Sequence, residues 1–196
     1  MEKNIKQDIM NATIALIKEK GTNIEDITIR EICSNANVAI GLVNYHFQSK
    51  EKLIGCCVQM IIGDVISSFE KMKKNQKPMK PVEKLRVMAK LTCDYLKANE
   101  NISRISILTD LSNSSVIDNT SQTIAAYLPL VKDVCPPDMG HQEVMIKMNM
   151  LILSLQGFFL RSTAQNKDIA LDFHNKEQRD KIVDKIIDTI LDLEEE

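Results

Sequence analysis

Apolar positions recur at helical spacing almost from the start of the chain. Ile5, Ile9, Ala12 and Leu16 step by four, three and four residues, which is one face of a helix. That helix ends near Lys20, where Gly21 follows Lys18, Glu19 and Lys20 as a C-terminal glycine should. Thr28 stands three residues before Glu31, the spacing at which hydroxyl and carboxylate satisfy each other's orphan backbone donors. A second helix starts there, buries Ile29, Ile32, Cys33 and Ala36, and stops at Asn37, a residue that tolerates a left-handed backbone. The next segment, Ile40 to Phe47, puts Val43 and Phe47 on one face and leaves Ile40, Leu42 and Asn44 pointing elsewhere. Ser49 then caps a long helix with Glu51 in its first turn, apolar at Leu53, Cys57, Ile61, Val65 and Phe69 and lasting to about Lys74, before Pro78 and Pro81. Further helices are predicted near 82–98, 102–113, 116–135, 140–164 and 177–193, separated by Asn99 to Asn101, Asn113 to Ser115, Pro136 with Pro137, and the segment 165–176. About nine helices, no confident strand and no internal repeat make the chain all-α.

Composition agrees and narrows the class. Among 196 residues, 44% are hydrophobic and 27% charged, which excludes a disordered or fibrous chain. Six glycines, five prolines and no tryptophan are too few turn-formers for a β-sandwich. The longest nearly uncharged apolar run, Met148 to Leu160, is about 13 residues, short for a bilayer, so no membrane partner is expected. The N-terminus has no apolar core of a secretory signal, and the expected location is the cytoplasm. Cys33, Cys56, Cys57, Cys93 and Cys135 form no CxxC pair and have no histidines at zinc spacing, so reduced, mostly buried thiols are expected, with no metal and no cofactor. The net charge is −2, and residues 1–55 carry seven Lys or Arg against seven Asp or Glu. A nucleic-acid reading therefore rests on where charges stand, not on their sum. Lys71 to Lys90 holds eight basic residues against Glu83 alone. A solvated helix end and loop explains this run, with a phosphate patch as the alternative.

Two short helices joined by Asn37, Val38 and Ala39 have the length and turn of a helix-turn-helix, whose second helix can enter a major groove. The string Ile27-Thr28-Ile29-Arg30-Glu31-Ile32, with Ala36-Asn37-Val38-Ala39, Gly41-Leu42-Val43-Asn44-Tyr45-His46-Phe47 and Ser49-Lys50-Glu51-Lys52-Leu53, closely resembles the DNA-binding segment of the TetR (tetracycline-repressor-like) family. The resemblance covers roughly residues 5–55; residues 56–196 match only in general plan. It implies a three-helix DNA-binding domain at 1–48 and a larger helical effector-binding and dimerisation domain at 49–196. Asn37 stands where the family usually has glycine, and Ala39 where it often has a Ser or Thr cap. By the same resemblance Thr28, Tyr45, His46 and Lys50 are phosphate contacts. Thr28 and Lys50 sit at helix N-termini, where backbone amides favour an anion. The residues left to read bases are Ile40, Gly41, Leu42 and Asn44. Asn44 can pair with adenine N6 and N7, while Ile40 and Leu42 offer only apolar contact, best with thymine methyls, so an A/T-leaning operator is expected.

The last two helices carry a second constellation. Ile182, Val183, Ile186, Ile187 and Ile190 form a broad stripe, facing Val144, Leu151, Leu155 and Phe158 of the preceding helix. Burial within one chain explains such a pair; a two-fold four-helix interface, which the resemblance also implies, is the functional reading, and it suits palindromic half-sites. A third group, Met88, Leu91, Tyr95, Leu108, Tyr127 and Met148 with Thr92, Thr109 and Gln156, could line a cavity for a small apolar or amphipathic effector, although core packing explains these residues equally well. Catalysis finds little support. His141 and His174 lack metal-spaced partners, no Ser or Cys has an adjacent base, and Asp94 and Asp110 are solitary carboxylates. The expectation is a non-enzymatic, homodimeric, ligand-responsive transcriptional regulator that binds a double-stranded operator, most simply as a repressor; a dimeric binding module without DNA contact is the alternative.

Overall fold

The computed structural model describes residues 4–20, 26–75, 79–115, 118–162 and 172–193, with the side chains of its fourth helix described as far as Met60. Among these residues there are nine helices and no strand: α1 (Ile5–Lys20), α2 (Ile29–Ala36), α3 (Ile40–Phe47), α4 (Lys50–Asn75), α5 (Pro81–Ala98), α6 (Glu100–Ser112), α7 (Asn119–Val134), α8 (His141–Leu160) and α9 (Lys176–Leu191). Gly21, Pro78 and residues 165–171 lie outside what is described, as do the side chains of Ile61, Val65 and Phe69. Two compact units form: Met1–Asp64 with Asn99–Asn119, and Val65–Ala98 with Thr120–Glu196.

In the first unit α1 buries Ile9, Met10, Ala12, Thr13, Leu16 and Ile17, and it packs against α2, α3 and α6. Thr13 is fully buried, but its hydroxyl donates to the Ile9 carbonyl at 2.8 Å, so no polar group is stranded. The α2 stop signal works as its sequence demands. Asn37 adopts φ 52° and ψ 51°, and the Asn37 and Val38 amides return to the Ser34 and Cys33 carbonyls at 3.2 and 3.0 Å. On the far side of the unit α6 is fastened to α1 by the Asn101 amide, which donates to the Ile17 carbonyl at 3.2 Å.

The second unit is built on α5, α8 and α9. Leu85, Met88, Ala89 and Cys93 of α5 are buried, as are Val144, Met148, Leu151, Ile152, Leu155 and Phe159 of α8. Each fully buried large side chain contributes roughly 1.5–3 kcal/mol. Charged residues then fix the helix register. Arg86 pairs with Asp184 at 3.0 Å and also with Asp188, and Lys90 reaches Asp184 at 2.7 Å. Part of the basic run from Lys71 to Lys90 is thus spent inside the fold, binding α5 to α9. Lys176 and Arg179 of α9 hold Asp94 of α5 at 2.6 and 2.5 Å. Burial raises the Asp94 pKa, and hydrogen bonds from Lys176 and Arg179 more than offset this, leaving its carboxyl below the ordinary range.

The stripe expected to form a two-fold interface is placed as follows. Val144, Leu151, Leu155, Ile182, Val183, Ile186, Ile187 and Ile190, the stripe assigned to a two-fold interface, are buried among helices of the same chain, and only Phe158 is half-exposed. The reason is that α5 supplies the third side of the cluster and covers a face that α8 and α9 alone would leave open. The outward face of α8 is different: Ile146, Met150 and Leu153 are 53%, 50% and 45% exposed. At 20 residues α8 is longer than the apolar run suggested, and long and apolar enough to cross a membrane. Its buried face makes it a core helix instead.

Candidate nucleic-acid interface

The sequence of α3 divides its surface into two. Val43 and Phe47 are 1% and 3% exposed and anchor the helix in the first unit, whereas Ile40 is 47% and Tyr45 79% exposed. Gly41 and Asn44 are exposed as well, with Leu42 and His46 half-buried. Three of the four expected base readers, Ile40, Gly41 and Asn44, are thus exposed on α3, which is eight residues long, and Leu42 is half-buried beside them. No side chain caps this helix at Ala39, whose φ of −74° and ψ of 146° are nonetheless those of an N-cap.

The four expected phosphate contacts fall into two pairs. Tyr45 and His46 are neighbours at the end of α3, their ring centroids 5.1 Å apart and edge to face. Thr28 and Lys50 meet at the start of α2, because the Lys50 ammonium donates to the Ile27 carbonyl at 3.1 Å. Thr28 makes the bonds to Glu31 that its spacing predicts. Its hydroxyl lies 2.9 Å from Glu31 Oε2 and accepts from the Glu31 amide at 3.2 Å, while the Thr28 amide donates to the same carboxylate at 2.9 Å. The capping box is complete, so Thr28 offers an anion a helix terminus more than a spare hydroxyl. Glu31 would oppose a phosphate were it not paired with Lys20. Hydrogen bonding from Lys20, then from the Thr28 backbone and hydroxyl, holds the Glu31 carboxyl at about 2.

The link between α3 and α4 was not foreseen. Gln48 has φ 65° and ψ −39°, and the Ser49 amide donates to the Phe47 carbonyl at 2.7 Å. This is a γ-turn with positive φ, a strained form. It turns the chain so that the Ser49 hydroxyl accepts from the Lys52 amide at 3.2 Å and α4 begins at Lys50. Only a Gly or Asn in place of Gln48 would have marked it in the sequence.

The expected effector-lining residues divide between the units. Met88, Tyr127, Met148 and Gln156 are buried in the second unit, where Leu91, Thr92 and Tyr95 are half-buried. The Tyr127 hydroxyl meets Thr92 Oγ1 at 2.6 Å and the Gln156 amide donates to Thr120 Oγ1 at 3.0 Å. Burial pushes the Tyr127 phenol well above its ordinary pKa. Leu108 and Thr109 belong to the first unit and are exposed. There Thr109 lines a cavity of about 50 Å³ with Glu51, Ile54, Gly55, Ser106, Asp110 and Asn119. Pockets that enclose drug-sized molecules are roughly 300–1,000 Å³, so this one is water-sized.

Residues 9–55 match the family model of bacterial regulatory proteins of the tetR family. A search of curated proteins gave no match to the sequence. Solved structures share the fold over nearly the whole chain. A TetR-like transcriptional regulator from Rhodococcus sp. RHA1 has a TM-score of 0.63 at 11% identity, covering 99% of both chains. A second transcriptional regulator from the same organism gives 0.66 at 13%, covering 94% of this chain and 96% of its own. A protein described as the molecular basis for control of antibiotic production by bacterial hormones gives 0.68 at 11%, covering 95% and 97%. Residues 9–55 are thus a TetR-family DNA-binding domain, carried by a chain with the all-α fold of TetR-family transcriptional regulators.

Proposed function

We propose that the protein is a homodimeric repressor that binds a palindromic operator through α3 and releases it when a small apolar or amphipathic effector enters the helical region 49–196, with residues 1–48 as the reading head. The observation that carries this reading is the outward face of α3: an apolar and amide surface, Ile40, Gly41, Leu42 and Asn44, on a helix whose opposite face is locked by Val43 and Phe47. Such a face has no use in an isolated chain and fits the edges of base pairs. Tyr45, His46, Lys50 and the α2 terminus at Thr28 flank it and supply phosphate contacts. A chain of this kind acts as a non-enzymatic cytoplasmic regulator.

Two copies are required for two half-sites about 34–36 Å apart. The outward stripe of α8, Ile146, Met150 and Leu153, is the surface available for self-association, since the other apolar faces of α8 and α9 are occupied. The effector's place is the interior between α5, α7 and α8, whose apolar walls include Met88, Tyr127 and Met148. One buried acceptor there, Gln156 Oε1, has no hydrogen-bond partner among the described residues, which suits a ligand with a single donor group. The helix α4 runs on from the first unit into the second, so displacing it changes the presentation of α3. A coupling of about 1–3 kcal/mol corresponds to a 5- to 150-fold loss of operator affinity. A fluorescence titration tests the reading: the DNA upstream of the chain's own coding region is bound in preference to a random duplex of equal length. Equal binding to both removes it.

A further inference from the structure

Lys6 is an exposed residue of the first turn of α1, outside the segment 9–55. Its ammonium lies 5.7 Å from the centroid of the Phe47 ring, the last residue of α3. The rings of Tyr45, His46 and Phe47 follow one another with centroid separations of 5.1 and 6.2 Å. Lys6 therefore stands at one end of a row whose other end is the exposed Tyr45. Two other cations of the unit are held by side-chain partners: Lys20 by Glu31, and Lys52 by Gln48 Oε1 at 2.5 Å. Lys6 has no ion pair among the described residues. An aromatic face attracts an ammonium without using its three N–H donors, so the cation is positioned while its hydrogen-bonding capacity is kept.

We propose that Lys6 is a fifth phosphate contact of the DNA-binding surface, delivered by α1 to the strand next to the phosphates reached by Tyr45 and His46. The inference rests on the DNA-binding reading above and extends it beyond the helix-turn-helix. Packing on Phe47 makes the contact part of the recognition helix's own geometry: the same ring anchors α3 in the core and holds the cation over its face. A phosphate contact carries no sequence information, so Lys6 adds affinity equally on every duplex.

Salt titrations of the full chain on the upstream duplex and on a random duplex decide the matter. Lys6→Met keeps the stem against Phe47 and removes the charge; Lys6→Arg restores it. Lys18→Met, at the exposed far end of α1, reports any general effect of lost charge. The expected result is a fall of about 0.9 in the slope of log K against log salt for each Lys6 lost per bound subunit, equal on both duplexes, absent in Lys6→Arg and in Lys18→Met, with melting curves unchanged. A slope in Lys6→Met equal to that of the wild type overturns the inference alone, as does a fall shared with Lys18→Met. Absence of salt-dependent binding by the wild type overturns the DNA-binding reading and this inference together.

Discussion

Two residues at the ends of α3 leave stability unrealised, one for want of a capping side chain and one through its backbone conformation. Ala39 occupies an N-cap conformation without a capping side chain. Ala39→Ser supplies the missing acceptor and raises stability by about 1 kcal/mol in a denaturant titration. Gln48 sits at φ 65°, so Gln48→Gly relieves strain and adds about 1 kcal/mol by the same measurement. No gain from Gln48→Gly would show that the Lys52 contact to the Gln48 side chain outweighs the backbone term. Asp94 contributes to acid sensitivity. Its pKa is lower folded than unfolded, so its contribution is complete above the ordinary carboxylate value and is lost as pH falls through the depressed one. Asp94→Asn leaves Arg179, 5% exposed, without its carboxylate, at a loss of about 2 kcal/mol at neutral pH. Thermal melts of wild type and variant differ at pH 7 and converge below about pH 4.

At the level of elements, α8 separates two kinds of apolar residue that look alike in sequence. Leu151 is fully buried, and Leu151→Ala costs about 2–5 kcal/mol of folding stability. Leu153, two positions on, faces outward; Leu153→Glu and Met150→Glu leave the melting of the single chain nearly unchanged but shift sedimentation from dimer to monomer. A dimer that survives both substitutions places self-association elsewhere. The same pair shows why some elements were legible and others were not. Two of the first four helices carry their own punctuation, the Thr28–Glu31 box and Asn37 for α2 and the Ser49 cap for the start of α4, and their observed bounds follow it. α8 is apolar on most of its circumference, so periodicity finds the helix without saying which face meets its own chain. That depends on α5, whose Arg86 and Lys90 read from sequence as part of a basic run and are in fact docked on Asp184 and Asp188. The outward face of α3 was legible because local rules alone bury Val43 and Phe47. The γ-turn at Gln48 is local but carries no marker residue, and the cation at Lys6 arises from a meeting of α1 with α3 that no spacing announces.

For the whole molecule, the near-neutral charge decides how specificity must arise. Residues 1–55 carry equal numbers of acidic and basic groups, so long-range attraction to DNA is weak and a bound operator depends on close contacts at α3. Those contacts have a definite chemistry. On the proposed reading Ile40 and Leu42 meet thymine methyls and the Asn44 amide matches adenine, and α3 contains no arginine to grip guanine O6 and N7. Selection from a random duplex pool is therefore expected to return half-sites rich in A and T, arranged as a palindrome one helical turn apart. Asn44→Ala lowers affinity for the selected site by roughly 1–3 kcal/mol at the adenine it reads and leaves random-duplex binding unchanged. Lys50→Ala, by contrast, weakens both to a similar extent. G/C-rich half-sites, or an Asn44→Ala loss that is the same on every sequence, would mean that another face of the head enters the groove.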